Sequence, residues 1–175
     1  VETELGMVDG TVLPVLLRSR EAYRNVARLV TRAQLRSPKG ECSVAWSELE
    51  ELAEGTSILT GDEEGPLDIG WRRDGRRGME AALKKMKRHL PESALWLEVQ
   101  RHSQRGEESL VKAKRDLAAA HYLPLLATGG VDYALPENRR IQDVFTCFRL
   151  HTTLDAAGRQ LTINADRHLK SSFEM

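Results

Sequence analysis

The chain has 175 residues, 41% hydrophobic and 30% charged, and its 26 basic and 26 acidic side chains cancel to a formal charge of zero. That length suits one domain of ordinary size with a real core, and the balanced charge excludes a global electrostatic signature of nucleic-acid binding. No apolar run approaches the roughly 20 residues that span a bilayer, no secretory leader is visible, and Cys42 and Cys147 lack C-x-x-C spacing, which indicates neither a zinc knuckle nor a disulfide framework and reads as reduced thiols in a cytoplasmic protein.

Thr11-Val12-Leu13-Pro14-Val15-Leu16-Leu17 is apolar, short and bounded by Asp9-Gly10, the pattern of a strand. Pro14 argues for an edge or a bulge. Ser19 can cap a following helix, in which Ala22, Tyr23, Val26, Leu29, Val30 and Ala33 share the apolar side. Arg20, Arg24, Arg28 and Arg32 form a second stripe, read as a solvated face. Ser47 and Glu50 have capping-box spacing for a short helix through about Ala53, ended by Gly55. Ser57-Ile58-Leu59-Thr60 is a short buried strand, and a turn runs from Gly61 to Leu67.

Arg72, Arg73, Arg76 and Arg77 surround Asp74-Gly75 as the most basic patch. No aromatic ladder interleaves them, so base stacking is not supported. A helix is expected from Gly78 to His89 with Met79, Ala82, Leu83 and Met86 inward, broken by Pro91. Ala94 to Gln100 reads as a strand, and Gly106 to Ala120 as a helix with Leu110, Ala113, Leu117 and Ala120 inward. Leu123 to Thr128 is the next strand, followed by the glycine turn Gly129-Gly130 and one carboxylate, Asp132. Pro136 suits a helix first turn, with Ile141, Val144, Phe145 and Phe148 as the buried face. Alternation of this kind argues for parallel strands wrapped by helices. Val1 is not an initiator methionine, and Ser171 and Glu174 have capping-box spacing close to the last residue, so a piece of a longer protein is expected.

The stretch Leu125-Leu126-Ala127-Thr128-Gly129-Gly130-Val131-Asp132-Tyr133 resembles the last metal-site motif of the PHP domain, the amino-terminal domain of bacterial DNA polymerases of the polymerase III alpha type. The family turn reads Asn-Asp-Val-His-Tyr, with Gly130 here in place of its Asp and Asp132 in place of its His. Further similarity runs in family order. It covers the helix Arg20–Ala33, the strand and loop Leu59-Thr60-Gly61 with Gly65-Pro66-Leu67, and the strand Leu97-Glu98-Val99-Gln100-Arg101-His102. It continues through Arg139–Cys147 and Ala165–Lys170, whose wording is closest to the error-prone branch.

What the resemblance implies is an α/β fold, an incomplete distorted (β/α)7 barrel, with residues 1–175 forming a single partial domain that lacks the first strands and their His-x-His ligands. Glu4 matches a ligand Glu of the family. Val12 stands at a ligand His, and Asp62 at a ligand Cys. His102 follows the Glu-Val-Gln strand toward the barrel mouth. The remnant metal positions are therefore Glu4, Asp62, His102 and Asp132. Metal-assisted hydrolysis needs several imidazoles and carboxylates converging on ions that activate water. Val12 and Gly130 offer no donor, so no cofactor is expected in this chain. Manganese, magnesium or zinc would be the ion of a residual site.

The implied parent is a DNA-templated DNA polymerase acting in replication, repair and translesion synthesis, and this chain is its scaffold or subunit-contact piece. The implied partners are the remainder of the polymerase chain, DNA through that parent and replication or mutasome subunits. A homo-oligomer through open sheet edges is a further expectation. The alternative is a residual metal-dependent phosphoesterase or 3′-5′ exonuclease.

Overall fold

The computed structural model describes residues 1–52, 55–171 and 173–174. Five strands form one sheet in chain order: β1 (Glu2–Gly6), β2 (Val12–Leu17), β3 (Thr56–Leu59), β4 (Leu95–Val99) and β5 (Leu125–Ala127). The helices are α1 (Arg20–Arg36), α2 (Pro66–His89), α3 (Glu107–Ala120), α4 (Arg139–Arg149) and the short α5 (Leu154–Ala157). The chain divides into two compact units, Val1–Val99 with Lys112–Leu126, and Gln100–Val111 with Ala127–Met175.

The α/β class expected from the alternation is present, and β3 and β4 pair in parallel across α2. The first two ladders depart from the expected parallel arrangement, because β1–β2 and β2–β3 are antiparallel. The link between β1 and β2 is too short for a crossover, so those strands close as a hairpin. Its turn is tied by Met7 N–H to the Thr11 carbonyl at 2.8 Å and by Gly10 N–H to the Met7 carbonyl at 2.9 Å. Pro14 lies on an interior strand rather than an edge. It pairs with Glu4 on one side, while on the other the ladder to β3 begins only at Val15. Its missing N–H is not needed there.

Ser19 caps α1 as the sequence predicts, its Oγ accepting from Ala22 N–H at 3.0 Å. Ala22, Val26, Leu29 and Ala33 are buried at helical spacing, whereas Tyr23, one position off that stripe, is exposed. The arginine face of α1 is partly neutralised by Arg24–Glu21, Arg32–Glu51 and Arg36–Glu48 pairs. The expected Ser47/Glu50 box does not start the next turn, a 3₁₀ segment over Trp46–Leu52. Glu48 does so instead, accepting from Ala45 N–H at 2.8 Å and from both outer nitrogens of Arg36. The Arg36 hydrogen bonds lead in holding its carboxyl down, to about 2. The predicted end at Ala53 lies outside the described residues.

The predicted Gly78–His89 helix is the second half of α2, with Met79, Leu83 and Met86 buried. The first half, from Pro66, ends in a sharp turn at Asp74-Gly75, where Gly75 adopts φ 53° and ψ −140°. That region is open almost only to glycine. Gly70 and Gly78 meet backbone to backbone across this turn, so a Cβ on either would strike the other's carbonyl. Helix α3 is rotated from expectation. Val111, Lys114, Leu117 and Ala118 are buried, and Ala120 is exposed. The rotation brings Lys114, 3% exposed at its side chain, into an ion pair with Asp68 on α2. Burial pushes the Asp68 carboxyl up, against the pull of the Lys114 charge.

Helix α4 departs further. Ile141, Val144, Phe145 and Phe148, expected inside, are exposed, and Asp143, Thr146 and Cys147 face inward. The polar side wins because it has partners. Asp143 takes the Thr162 hydroxyl at 3.1 Å and lies 3.6 Å from Arg139 Nε, while Arg139 donates to the Thr162 carbonyl at 2.5 Å. No helix among the described residues is long and apolar enough to cross a membrane.

Two stability predictions follow from these contacts. Lys114→Ala strands the Asp68 carboxylate in the core and should cost roughly 3–5 kcal/mol in urea unfolding, whereas joint replacement of both by apolar residues should recover most of the loss. Asp9 accepts from Trp46 Nε1, Lys85 Nζ and Thr11, joining the hairpin to α2. Burial alone would raise its carboxyl, but the bonds from Lys85, Thr11 and Trp46 outweigh it and bring the pKa down from 3.8 to about 2. A lowered carboxylate stabilises the fold above its unfolded pKa. This contribution should be complete above about pH 4 and vanish as pH falls through about 2. Asp9→Asn should remove it, about 1 kcal/mol at neutral pH, in paired melts at several pH values.

Candidate functional site

Three family ligand positions fall in the first unit. Glu4 is exposed on β1 opposite Pro14. Val12 opens β2 and donates its N–H to the Glu64 carbonyl at 2.9 Å, its side chain supplying no ligand atom. Asp62 sits in the turn after β3, where its Oδ1 accepts from Glu64 N–H at 3.1 Å and its carbonyl from Gly65 N–H at 2.8 Å. This is a turn stabilised by its own aspartate.

In the second unit, His102 is 4% exposed, and its Nε2 lies 3.0 Å from the Gly129 carbonyl. A carbonyl only accepts, so Nε2 carries the proton and is not available as a ligand. The His102 backbone is held at both ends, N–H to Glu107 at 2.5 Å and carbonyl from Asn164 Nδ2 at 2.5 Å. Gly130 has φ 51°, and a Cβ added there would run into the side-chain amide of Gln100. The Gln100 amide thus fills the space into which the family's aspartate would project.

Asp132 is tied to the segment that ends the unit. Its N–H donates to the Arg167 carbonyl at 2.9 Å, and its Oδ2 stands 3.9 Å from Arg167 Nε. Tyr133 and His168 form a parallel bridge, closed by Leu169 N–H on the Tyr133 carbonyl at 3.0 Å. The Tyr133 hydroxyl donates to the Asn164 carbonyl at 3.3 Å. Burial pushes its phenol up.

Glu4 and Asp62 therefore belong to one unit and His102 and Asp132 to the other, each with a partner of its own. Among the described residues, no group of three or more His, Cys, Asp or Glu side chains is placed to hold a metal ion. That is not the converging donor set that the multi-ion centre of a PHP site requires. Sequence reading missed Gln100 and Arg167 as occupants of this region. Arg167 is 35 positions from Asp132 and left no spacing signal. Gln100 was visible only as a strand residue.

A family model described as "PHP domain" matches residues 3–102. The chain belongs to the PHP domain family. Its curated relatives are named error-prone DNA polymerases. One from Rhodopseudomonas palustris (strain BisB5) is 33% identical over 170 residues, covering 97% of this chain and 14% of the relative. One from Brucella abortus biovar 1 (strain 9-941) is 35% identical over 175 residues, 98% of this chain and 15% of the relative. One from Caulobacter vibrioides is 34% identical over 175 residues, again 98% and 15%. The chain thus spans about one seventh of the length of the relatives it matches.

Restoring the family aspartate provides a direct check. Gly130→Asp should destabilise the chain by roughly 1–2 kcal/mol, from the left-handed backbone and displacement of Gln100. Calorimetric titration of that variant with manganese should still show no micromolar site.

Proposed function

We propose that this chain is the PHP-domain portion of an error-prone DNA polymerase III alpha-type subunit and serves as a packing platform for the remainder of that polymerase. In this reading the parent synthesises DNA on a template in the cytoplasm, during repair and translesion synthesis, and the remnant metal positions carry no hydrolytic step. Replication or mutasome subunits would reach this piece through the parent.

The observation that carries the reading is the outward face of α4. Ile141, Val144, Phe145 and Phe148 are 55%, 40%, 63% and 72% exposed on a helix whose polar side is turned inward. Four large apolar side chains on one face of a helix mark a surface that another protein surface covers. The named relatives, several times longer than this chain, supply the class of occupant: further polymerase sequence. Gln100 at the Gly130 turn and Arg167 beside Asp132 support the non-catalytic part of the reading.

The test is the pair Phe145→Ser and Phe148→Ser, introduced into the full polymerase and into this chain alone. In the full protein the change should lower the unfolding temperature by several degrees and weaken primer extension. The isolated chain should keep its melting temperature and self-associate less in sedimentation. Equal effects on both proteins would remove the platform role. Manganese-dependent nuclease activity lost on Asp132→Ala would overturn the non-catalytic part.

A further inference from the structure

The zero formal charge of the chain is the sum of two opposed parts. Between Arg72 and Arg88 stand 8 basic residues and 2 acidic ones, leaving 18 basic and 24 acidic elsewhere out of 26 of each. The segment lies within α2, and several of its charges are already neutralised. Arg76 pairs with Glu80 at 3.0 Å, Lys85 with Asp9 and Lys87 with Glu92 at 2.6 Å. Arg72 donates to the Glu63 carbonyl.

Arg72 and Arg73 keep their charge before the turn, and what stays uncompensated beyond it falls on one side of the second half of α2. Arg77, Lys84 and Arg88 are seven and four residues apart, so they share a face over about 16 Å of helix. The Arg77 side chain is 90% exposed and meets only Asp74, at a loose 3.9 Å. Among the described residues, Lys84 and Arg88 make no ion pair or side-chain hydrogen bond. Lys84, Lys87, Arg88 and His121, with the neutralised Glu80, line an open cleft of about 450 Å³. Lys84 and Arg88 along the cleft, with the loosely held Arg77 further along the same face, match an anion that repeats, and a duplex presents one phosphate per strand every ~3.4 Å.

We infer that this face of α2, through Arg77, Lys84 and Arg88, docks the phosphate backbone of a nucleic-acid duplex. The inference goes beyond the platform role and does not depend on it, because it uses none of the α4 residues. An anionic membrane is the less suitable occupant, because no large exposed apolar side chain accompanies the cations on this half of α2. No aromatic side chain of this half-helix is there to stack on unpaired bases, so a duplex suits the face better than a single strand.

The test is fluorescence anisotropy of the whole 175-residue chain with a labelled mixed-sequence duplex of about 20 base pairs, titrated from about 50 to 200 mM salt. Combined Arg77→Ala, Lys84→Ala and Arg88→Ala should weaken binding at least roughly tenfold at the lowest salt and flatten the log–log salt slope by about 2–3. A control takes the same three charges from the exposed face of α1, as Arg20→Ala, Arg24→Ala and Arg28→Ala, and should leave the slope unchanged. Circular dichroism of both variants should match the unmodified chain. An unchanged slope in the α2 variant would overturn the inference, as would equal loss in the α1 control or no salt-dependent binding by the parent chain. Phosphatidylserine vesicles bound through the same three residues, with duplex ignored, would overturn it in favour of a lipid surface.

Discussion

A lysine ammonium buried without a carboxylate is so costly that its position constrains everything packed beside it. Lys114 meets Asp68 in the core of the first unit, and this pair sets how α3 lies on α2. The helix turns its Val111–Lys114–Leu117–Ala118 side inward to satisfy it, although the Leu110–Ala113–Leu117 stripe is the more apolar choice. With α3 so placed, His121 at its end comes to the cleft beside Lys84 and Arg88. A polar contact in the core thereby bears on which residue beyond α3 lines the cleft along α2.

Much of the fold was legible because it rests on local rules. Ser19 caps α1, Gly55 adopts φ 71°, and Met79, Leu83 and Met86 bury where their spacing places them. The misreadings share a physical cause. In α3 and α4 the inward face was assigned by hydrophobic periodicity, and in both a buried polar residue outweighed it, Lys114 in one and Asp143 in the other. Their partners, Asp68 and Thr162, lie at sequence distances that no periodicity reports. The β1 strand was likewise hidden, since only Leu5 of its five residues is buried.

The remnant site shows the same division. The family positions could be aligned along the chain by motif, and a glycine or valine among them said which donors are missing. What stands in their stead could not be read that way. The Gln100 amide at Gly130 and the Arg167 guanidinium near Asp132 are contacts made by folding. In this unit the strand-end loop is held to the closing segment by hydrogen bonds and a peptide bridge, work that a shared ion can otherwise do.

The abutting glycines of α2 carry a consequence of their own. Gly70 and Gly78 touch through bare backbone, and Gly75 supplies the reversal between them. A single methyl at either contact point would act as a wedge, prying the two half-helices apart while leaving every ionisable group in place. Spacing within the arginine cluster around Asp74 is thus governed by the smallest side chains in the chain, and geometry there can be varied separately from electrostatics.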